Sequence, residues 1–182
     1  ANIDNVDILN NNASVGGAFY CWNGSLHIKN STLSDNQAVG SNAAGGVIYT
    51  INTDLLIDTS IITMNKSAGI GGAIALNGGN TNIIQSEIKE NTAINNGGGL
   101  FINTLNNDVS FININGTKIT ENRSLENGGG VYYNLSSPLN LSNNTEINNN
   151  FGSDIYLNNK AHLIHLKDQF NTAERIGIAV NK

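Results

Sequence analysis

Short apolar runs recur along this chain every 25 to 31 residues, separated by stretches rich in asparagine, glycine, serine and threonine. The clearest copy has an apolar residue, Ile88, three positions before Asn91 and a small residue, Ala93, two positions after it. Six copies share this spacing, with their asparagines at Asn11, Asn36, Asn65, Asn91, Asn122 and Asn150. A weak seventh copy around Asn171 carries Asp168 at the apolar position. A fixed period of this length indicates a repeat architecture in which each repeat supplies one structural unit.

Two β-runs accompany each asparagine. One lies upstream, as in the run that holds Ile112 and Ile114, and the other follows a glycine pair downstream. The pairs are Gly16-Gly17, Gly45-Gly46, Gly71-Gly72, Gly97-Gly98 and Gly128-Gly129, whereas the sixth copy keeps only Gly152. A column of hydroxyl residues separates the upstream run from the asparagine, at Ser31, Ser60, Ser86, Thr117 and Thr145. No stretch has helical periodicity, so each repeat is predicted to hold two or three short strands.

Several repeat folds are built from such units, and their requirements differ. A leucine-rich repeat requires a helical segment in each unit, and a propeller blade needs about 40 residues, so neither fits. A parallel β-helix requires only short strands, small corner residues and similar residues stacked between coils. We therefore predict an all-β, right-handed parallel β-helix of six to seven coils, formed by a single domain over residues 1–182. Coils about 4.8 Å apart would make it about 30 Å long.

Parallel coils place equivalent residues directly above one another, which predicts a role for the repeated polar residues. The six asparagines are expected to face the interior or a corner and to hydrogen-bond along the stack, as amide ladders do in stacked sheets. The glycine pairs are expected at a corner where the backbone needs a positive φ or where two coils approach closely.

The run after the glycines predicts an outward stripe of aromatic residues. Residues such as Ile48, Ile74 and Leu100 face the core, so each following residue points outwards. Five of the six outward positions are aromatic and Ala75 is the gap between them; the five are Tyr20, Tyr49, Phe101, Tyr132 and Tyr156. Two interpretations stay open. The rings stack across coils and stabilise the sheet, or they form a surface for sugar rings or a protein partner.

One pair of carboxylates raises the possibility of catalysis. Glu90 and Glu121 each precede a ladder asparagine, and adjacent coils would bring them to roughly 5 Å, the separation used by retaining glycosidases. A polysaccharide-active lyase or hydrolase is therefore the alternative function, although two solvated carboxylates explain the same pattern. No metal-ligand spacing connects Cys21 with the three histidines His27, His162 and His165, so neither a cofactor nor a metal is predicted.

The charge content excludes one class of partner. Charged residues form 13% of the 182 residues and the net charge is −5, without a cluster of Lys or Arg, which argues against nucleic acid. No stretch approaches the ~18 apolar residues of a membrane span, so membrane insertion is not expected. The single cysteine, Cys21, forms no intrachain disulfide and leaves the redox compartment open.

Asparagine makes up roughly a fifth of the chain, and several asparagines begin glycosylation sequons. Two of these, Asn65 and Asn122, are also ladder members and are expected to stay unmodified. The other seven are possible N-glycosylation sites: Asn12, Asn23, Asn30, Asn115, Asn134, Asn140 and Asn143. Their number exceeds chance expectation and favours a secreted glycoprotein.

The phrase Gly-Gly-(Ala/Gly)-(Ile/Leu/Val) alternating with apolar-x-x-Asn resembles the repeats of the chlamydial polymorphic outer membrane proteins. It is equally similar to other right-handed parallel β-helix surface proteins. The resemblance covers about residues 3–157, but Ile or Leu stands here where that family commonly has Phe. It implies an extracellular or cell-surface passenger domain, often an adhesin, and it implies no catalytic residue.

These observations predict a non-enzymatic extracellular or cell-surface protein that is structural or adhesive. The chain is either a processed or partial piece of a longer protein or a subunit whose copies stack end to end into a fibre. Its expected partners are other copies of itself, or a host or cell-surface protein or glycan.

Overall fold

Short strands joined by tight corners follow from the repeat, because the apolar runs are only three or four residues long. The computed structural model describes residues 1–104, 110–159, 163–167 and 177–180. Within these ranges the chain forms 23 strands and no helix. The weak copy around Asn171, together with Asp168, lies outside the described residues.

The strands, in chain order, begin with β1 (Asn2–Asp4), β2 (Asp7–Leu9), β3 (Asn12–Ala13), β4 (Phe19–Lys29), β5 (Thr32–Ser34), β6 (Gln37–Ala38), β7 (Ile48–Asp58), β8 (Ile61–Thr63), β9 (Lys66–Ser67), β10 (Ile74–Asn77), β11 (Thr81–Ile84) and β12 (Glu87–Lys89). They continue with β13 (Thr92–Ala93), β14 (Leu100–Asn103), β15 (Ile112–Asn115), β16 (Lys118–Thr120), β17 (Arg123–Ser124), β18 (Val131–Tyr133), β19 (Leu139–Ser142), β20 (Glu146–Asn148), β21 (Ile155–Leu157), β22 (Ile164–Lys167) and β23 (Ile178–Val180).

Parallel pairing between successive coils arranges these strands in four faces. The aromatic face holds the first halves of β4 and β7 with β10, β14, β18, β21 and β23. The second face holds β1, the second halves of β4 and β7, and β11, β15, β19 and β22, so the two long strands join both faces into one 12-stranded sheet. The third face is the six-stranded sheet β2-β5-β8-β12-β16-β20, and the fourth is the five-stranded sheet β3-β6-β9-β13-β17. The predicted fold class is confirmed as a parallel β-solenoid of about six turns.

The core is a stack of aliphatic side chains, one layer per coil. Ile48, Ile74, Leu100, Val131 and Ile155 follow one another in register on the aromatic face and are fully buried. Alternating side chains point to opposite faces of a strand, so the predicted inward and outward sets are both correct.

Three left-handed corners bend each coil. They are the first glycine of each pair, the residue before each hydroxyl position, and the residue before each ladder asparagine, with φ between 45° and 72° throughout. The third set is Asn10, Asp35, Met64, Glu90, Glu121 and Asn149. The second glycine of each pair is required for a different reason, because a Cβ there would collide with the backbone of the next coil. Both predicted roles of the glycines are therefore present, divided between the two residues of the pair.

The effect of replacing Met64 on stability should depend on how well the new residue tolerates the left-handed conformation of this corner. Its φ of 56° is costly for most L residues and is tolerated by asparagine. We expect Met64→Asn to raise the free energy of unfolding by about 0.5–1 kcal/mol and Met64→Val to lower it by about 1–2 kcal/mol. Urea denaturation would measure both, and equal effects of the two substitutions would contradict the corner assignment.

The asparagines form the predicted ladder. Each backbone N–H and each side-chain Nδ2 from Asn11 to Asn122 donates to the Oδ1 of the next ladder member, at 2.9–3.1 Å. Nδ2 also donates to the carbonyl of the apolar residue one coil back, for example from Asn91 to Ile62 at 3.0 Å. The hydroxyl column forms a second inward ladder, in which Ser31 N–H donates to Ser60 Oγ at 3.2 Å and Ser60 N–H to Ser86 Oγ at 3.1 Å.

A carboxylate ends the ladder. Asn150 donates from its backbone N–H and its Nδ2 to Asp154 Oδ1, at 3.1 and 3.0 Å. The other oxygen, Oδ2, accepts a hydrogen bond from the backbone N–H of Gly177 at 2.7 Å. Gly177 directly precedes β23. Because a carboxylate only accepts, Asp154 closes the chain of amides and connects it to the following coil.

Removing this carboxylate should loosen the sixth coil. We expect Asp154→Ala to lower the free energy of unfolding by about 2–4 kcal/mol, because two donors of Asn150 and one of Gly177 lose a charged acceptor. Asp154→Asn should lower it less, since its oxygen still serves Asn150. Hydrogen exchange at the Asn150 and Gly177 amides would locate the effect, with Asp7→Ala on the exposed surface as the control. Unchanged protection of both amides in Asp154→Ala would contradict the capping role.

Candidate binding face

The predicted aromatic stripe exists and its rings stack. Tyr20 and Tyr49 stack with ring centroids 5.5 Å apart and an interplanar angle of 17°. Phe101 stacks on Tyr132 at 4.9 Å and 7°, and Tyr132 on Tyr156 at 5.4 Å and 15°. Direct parallel pairing of the strands imposes this, because equivalent residues lie one coil apart. Cross-coil stacking, the first of the two interpretations, is therefore present in the stripe.

Ala75 divides the stripe into a pair and a triplet. It lies in register between Tyr49 and Phe101 at an outward position. Its side chain is nevertheless fully buried, with a relative exposure of 0%. The gap is therefore closed to solvent and does not form an open slot between the two ring stacks.

A second outward column runs beside the stripe, two residues further along each strand. Parallel register aligns Trp22, Ile51, Asn77 and Asn103, and hydrogen bonds place Asn134 and Asn158 after them. Trp22 is the most exposed large apolar residue of the described part, at 68%, and the repeat does not mark it because its column is not aromatic elsewhere. The signal was its position, two residues after Tyr20 in an alternating strand.

The two columns together contain no charged residue. Of their twelve positions, six are aromatic, including Trp22, four are asparagine, and the other two are Ala75 and Ile51. The pKa of Tyr132 is raised mainly by burial, and further by the hydroxyl of Tyr156 and by the carboxylate of Glu126 in the adjoining turn. The Tyr132 hydroxyl therefore stays neutral at physiological pH.

The three ion pairs between described residues are on other faces. Lys89 contacts Glu87 at 3.3 Å and Lys118 contacts Glu146 at 3.3 Å, both on the third face. Lys29 contacts Asp58 at 3.4 Å on the second face. The surface is thus divided between charged faces and one uncharged face.

The predicted carboxylate pair lies at left-handed corners. Glu90 and Glu121 precede successive ladder asparagines with φ of 56° and 58°, and both side chains are exposed. Their place in the repeat is shared with Asn10, Met64 and Asn149, so the position is primarily a corner of the coil.

The histidines and the cysteine occupy separate places. His27 pairs in register with Leu56, and His165 with Asn140 near the other end of the second face. His162 lies outside the described residues. Cys21 is a free, half-buried cysteine whose pKa is raised by burial. Within the described ranges no three His, Cys, Asp or Glu side chains are placed to hold a metal ion.

The sequon asparagines differ in accessibility. Asn12, Asn23, Asn30 and Asn143 are exposed, whereas Asn115 and Asn134 are half-buried and take part in amide–amide hydrogen bonds. Asn140 is buried, and its Nδ2 lies 3.4 Å from the carbonyl of Ile112. Asn140 is therefore the least accessible of the seven possible glycosylation sites. Asn65 and Asn122 are fully buried in the ladder, which supports the expectation that they stay unmodified.

A shallow groove of about 230 Å³ lies on the fourth face. It forms where the small Ala68 follows Val39 and precedes Ile94, and it is flanked by Gln37, Lys66 and Thr92. The repeat does not mark this groove, because those positions carry no repeated residue type.

Comparison with known proteins adds no further assignment. No protein-family model matches the chain, and no curated protein or solved structure matches it significantly. In the part that the structure describes, no helix has the length and apolar character needed to cross a membrane. The fold and its geometry therefore identify the chain as a parallel β-solenoid of about six turns with one uncharged, aromatic face.

Proposed function

We propose that this chain is a non-enzymatic extracellular or cell-surface β-solenoid that adheres to a partner through its aromatic face. The observation that carries the proposal is the uncharged pair of outward columns, in which Trp22 and Tyr20 expose 68% and 52% of their surface. Large apolar side chains exposed together on a rigid sheet are typical of interaction surfaces.

The location is supported by the repeat and by composition. The alternating glycine and asparagine phrases resemble those of chlamydial polymorphic outer membrane proteins, whose passenger domains are often adhesins. The four exposed sequon asparagines are compatible with glycosylation in a secreted protein. Both points favour a protein that meets its partner outside the cell.

Adhesion of protein-coated beads to intact cells would test the proposal. We expect beads carrying the native chain to bind to some members of a panel of animal and bacterial cells. The double variant Tyr20→Ala/Trp22→Ala should lose most of this binding, because it removes the two most exposed side chains of the face. The matched control is Glu87→Ala/Lys89→Ala, which removes an ion pair from the third face without changing net charge.

The same proteins would test the alternative function. We expect no turnover of a panel of acidic and neutral polysaccharides, and the polysaccharide-active enzyme remains the second hypothesis until this is measured. Turnover by the native chain that is lost in Glu121→Gln would overturn the proposal. Adhesion that survives Tyr20→Ala/Trp22→Ala and is lost in the third-face control would overturn the choice of face.

End-to-end assembly into a fibre stays a prediction. Among the described residues the asparagine ladder ends at Asp154, whose carboxylate is already bound to Asn150 and Gly177. Copies would therefore need contacts other than a continuous amide ladder at that end. Sedimentation and electron microscopy of the purified chain would show filaments or single particles.

A further inference from the structure

The aromatic face lacks charge on both of its outward columns, and this restricts the partner. The ion pairs Lys29–Asp58, Lys89–Glu87 and Lys118–Glu146 all lie on other faces. Arginine and lysine are the side chains that bind sulfate, phosphate and carboxylate groups most strongly. None of the twelve positions in the two columns carries one, so the face suits a neutral ligand.

The ring stacking determines which aromatic surfaces remain for a ligand. Tyr132 has Phe101 on one side and Tyr156 on the other, so both of its ring faces are covered. Tyr20 and Tyr49 cover one face of each other. Trp22 lies in register with Ile51 rather than with another ring, so ring stacking covers neither face of the indole among the described residues. The indole is therefore the ring on this face whose flat surface is best placed to meet a ligand.

An amide ladder extends the face along the solenoid. Asn134 donates from Nδ2 to Asn103 Oδ1 at 2.9 Å, and Asn158 donates to Asn134 Oδ1 at 3.1 Å. Asn77 continues the column, but its Oδ1 is shielded and has no hydrogen-bond partner, so the ladder ends at Asn103. A primary amide has two donors and two acceptor positions, and Asn134 uses one of each kind in the ladder. Half-buried amides of this kind can both donate to and accept from hydroxyl groups.

The dimensions of the face favour a narrow ligand over a protein. The five spacings of about 4.8 Å between six coils give a length of about 24 Å, and outward positions two residues apart give a width of about 7 Å. The area is therefore on the order of 200 Å², well below the ~800 Å² that each partner buries in a standard protein interface. A linear chain of sugar rings has this shape.

We infer that the two columns bind a neutral oligosaccharide or polysaccharide lying along the solenoid axis. This inference rests on the proposed adhesive function and names its partner class. The Trp22 indole stacks on the apolar face of one sugar ring, and the Tyr20 and Tyr49 hydroxyls and the Asn134 amide bind ring hydroxyls. Neutral sugars satisfy the amides and the aromatic surface without requiring any charged residue.

Binding to immobilised polysaccharides would test the inference directly. The chain would be produced in the bacterial cytoplasm, where its sequons stay unmodified, and offered neutral glucans, mannans, galactans and xylans beside sulfated and uronic-acid polymers. We expect binding to at least one neutral polymer that does not weaken when salt is raised, since no charge pair contributes. Trp22→Ala should weaken that binding about tenfold, the loss of one aromatic stacking contact.

Matched variants separate the binding site from general apolar adhesion. Phe111→Ala removes a side chain of comparable exposure, 54%, outside the two columns and should leave binding unchanged. Asn134→Ala should weaken binding about threefold to tenfold, as expected for loss of an amide contact. Unchanged urea midpoints would show that Trp22→Ala and Phe111→Ala keep the fold. Preference for acidic polymers, salt-sensitive binding, or an equal loss in Phe111→Ala would overturn the inference.

Cell adhesion distinguishes failure of this inference from failure of the proposed function. Periodate oxidation of the cell surface, which cleaves sugar diols, should abolish bead adhesion. Protease treatment should preserve the part of the adhesion that depends on glycans not attached to protein. Adhesion that is lost after protease but kept after periodate would mean a protein partner, which refutes the sugar and keeps the adhesive function. Binding to neither cells nor polysaccharides would refute both.

Discussion

Replacing Asn91 with alanine should lower the free energy of unfolding by about 3–5 kcal/mol. Asn91 Oδ1 accepts the backbone N–H and the Nδ2 of Asn65 at 2.9 and 3.0 Å. Its own Nδ2 donates to the carbonyls of Ile62 and Lys89 and to Asn122 Oδ1, at 2.9–3.0 Å. Alanine leaves two buried donors of Asn65 without an acceptor, and each costs about 1–3 kcal/mol. Urea denaturation monitored by circular dichroism would measure the loss.

The matched control for this change is Asn42→Ala, on an exposed turn outside the ladder. We expect that substitution to change the free energy of unfolding by less than about 0.5 kcal/mol. Surface binding by the aromatic face should survive Asn91→Ala at temperatures where the variant is folded, because Asn91 lies inside the coil. A loss in Asn91→Ala no larger than in Asn42→Ala would show that the ladder contributes little to stability.

Replacing Gly72 with alanine should destabilise the solenoid by at least about 3 kcal/mol. A Cβ at Gly72 would overlap the carbonyl oxygen of Gly98 and lie 2.5 and 2.7 Å from the carbonyl carbon and the nitrogen of Thr92. All three atoms belong to the backbone of the next coil, so no side-chain rotation relieves the collision. The coils would have to separate, and thermal or urea unfolding would report the loss.

Gly24 supplies the opposite result for the same substitution. A Cβ there meets no atom within 4 Å, and its backbone does not adopt the left-handed conformation. We expect Gly24→Ala to leave stability unchanged or to raise it by about 0.4–1 kcal/mol, because alanine restricts the unfolded chain. If Gly72→Ala and Gly24→Ala proved equally mild, the close approach of the coils at the glycine pair would be wrong.

Local changes of this kind should be felt beyond one coil. Each coil of a solenoid contacts only its neighbours, so stability depends on the interfaces between adjacent coils. Asn91 bonds to Asn65 in one adjacent coil and to Asn122 in the other, whereas Gly72 lies against Gly98 in the next coil. Asn91→Ala therefore removes contacts at two interfaces between coils, and Gly72→Ala disrupts the closest backbone approach at one. Hydrogen exchange should show the fastest opening in the third and fourth coils.

The repeat allowed much of the architecture to be predicted from the sequence. A regular recurrence of Ile or Leu three residues before asparagine determines which residues face inwards, because stacked coils superimpose equivalent positions. The ladder from Asn11 to Asn150 and the outward stripe from Tyr20 to Tyr156 follow from that superposition. The sequence pattern was sufficient to predict these features because each repeated residue contacts the equivalent residue of the next coil.

Positions that depart from the repeat depended on tertiary structure. Asp154 caps the ladder from the bend that precedes β21, four residues after Asn150, and no spacing in the chain marks it. Glu90 and Glu121 looked like paired acids, and the structure places them at left-handed corners. Backbone dihedrals of non-glycine residues leave only a weak trace in sequence, through the asparagines that share their column.

The sequence by itself determined the coil, its inward asparagine ladder and the direction of each side chain, because these properties recur in every repeat. Only the tertiary structure decided which ring faces are covered by stacking, that Ala75 is sealed, and that Trp22 and an amide column complete an uncharged face. Those properties depend on distances and exposure between residues in different coils. Alternation gives a side chain its direction, but the neighbouring coils decide how much of it remains open to a ligand.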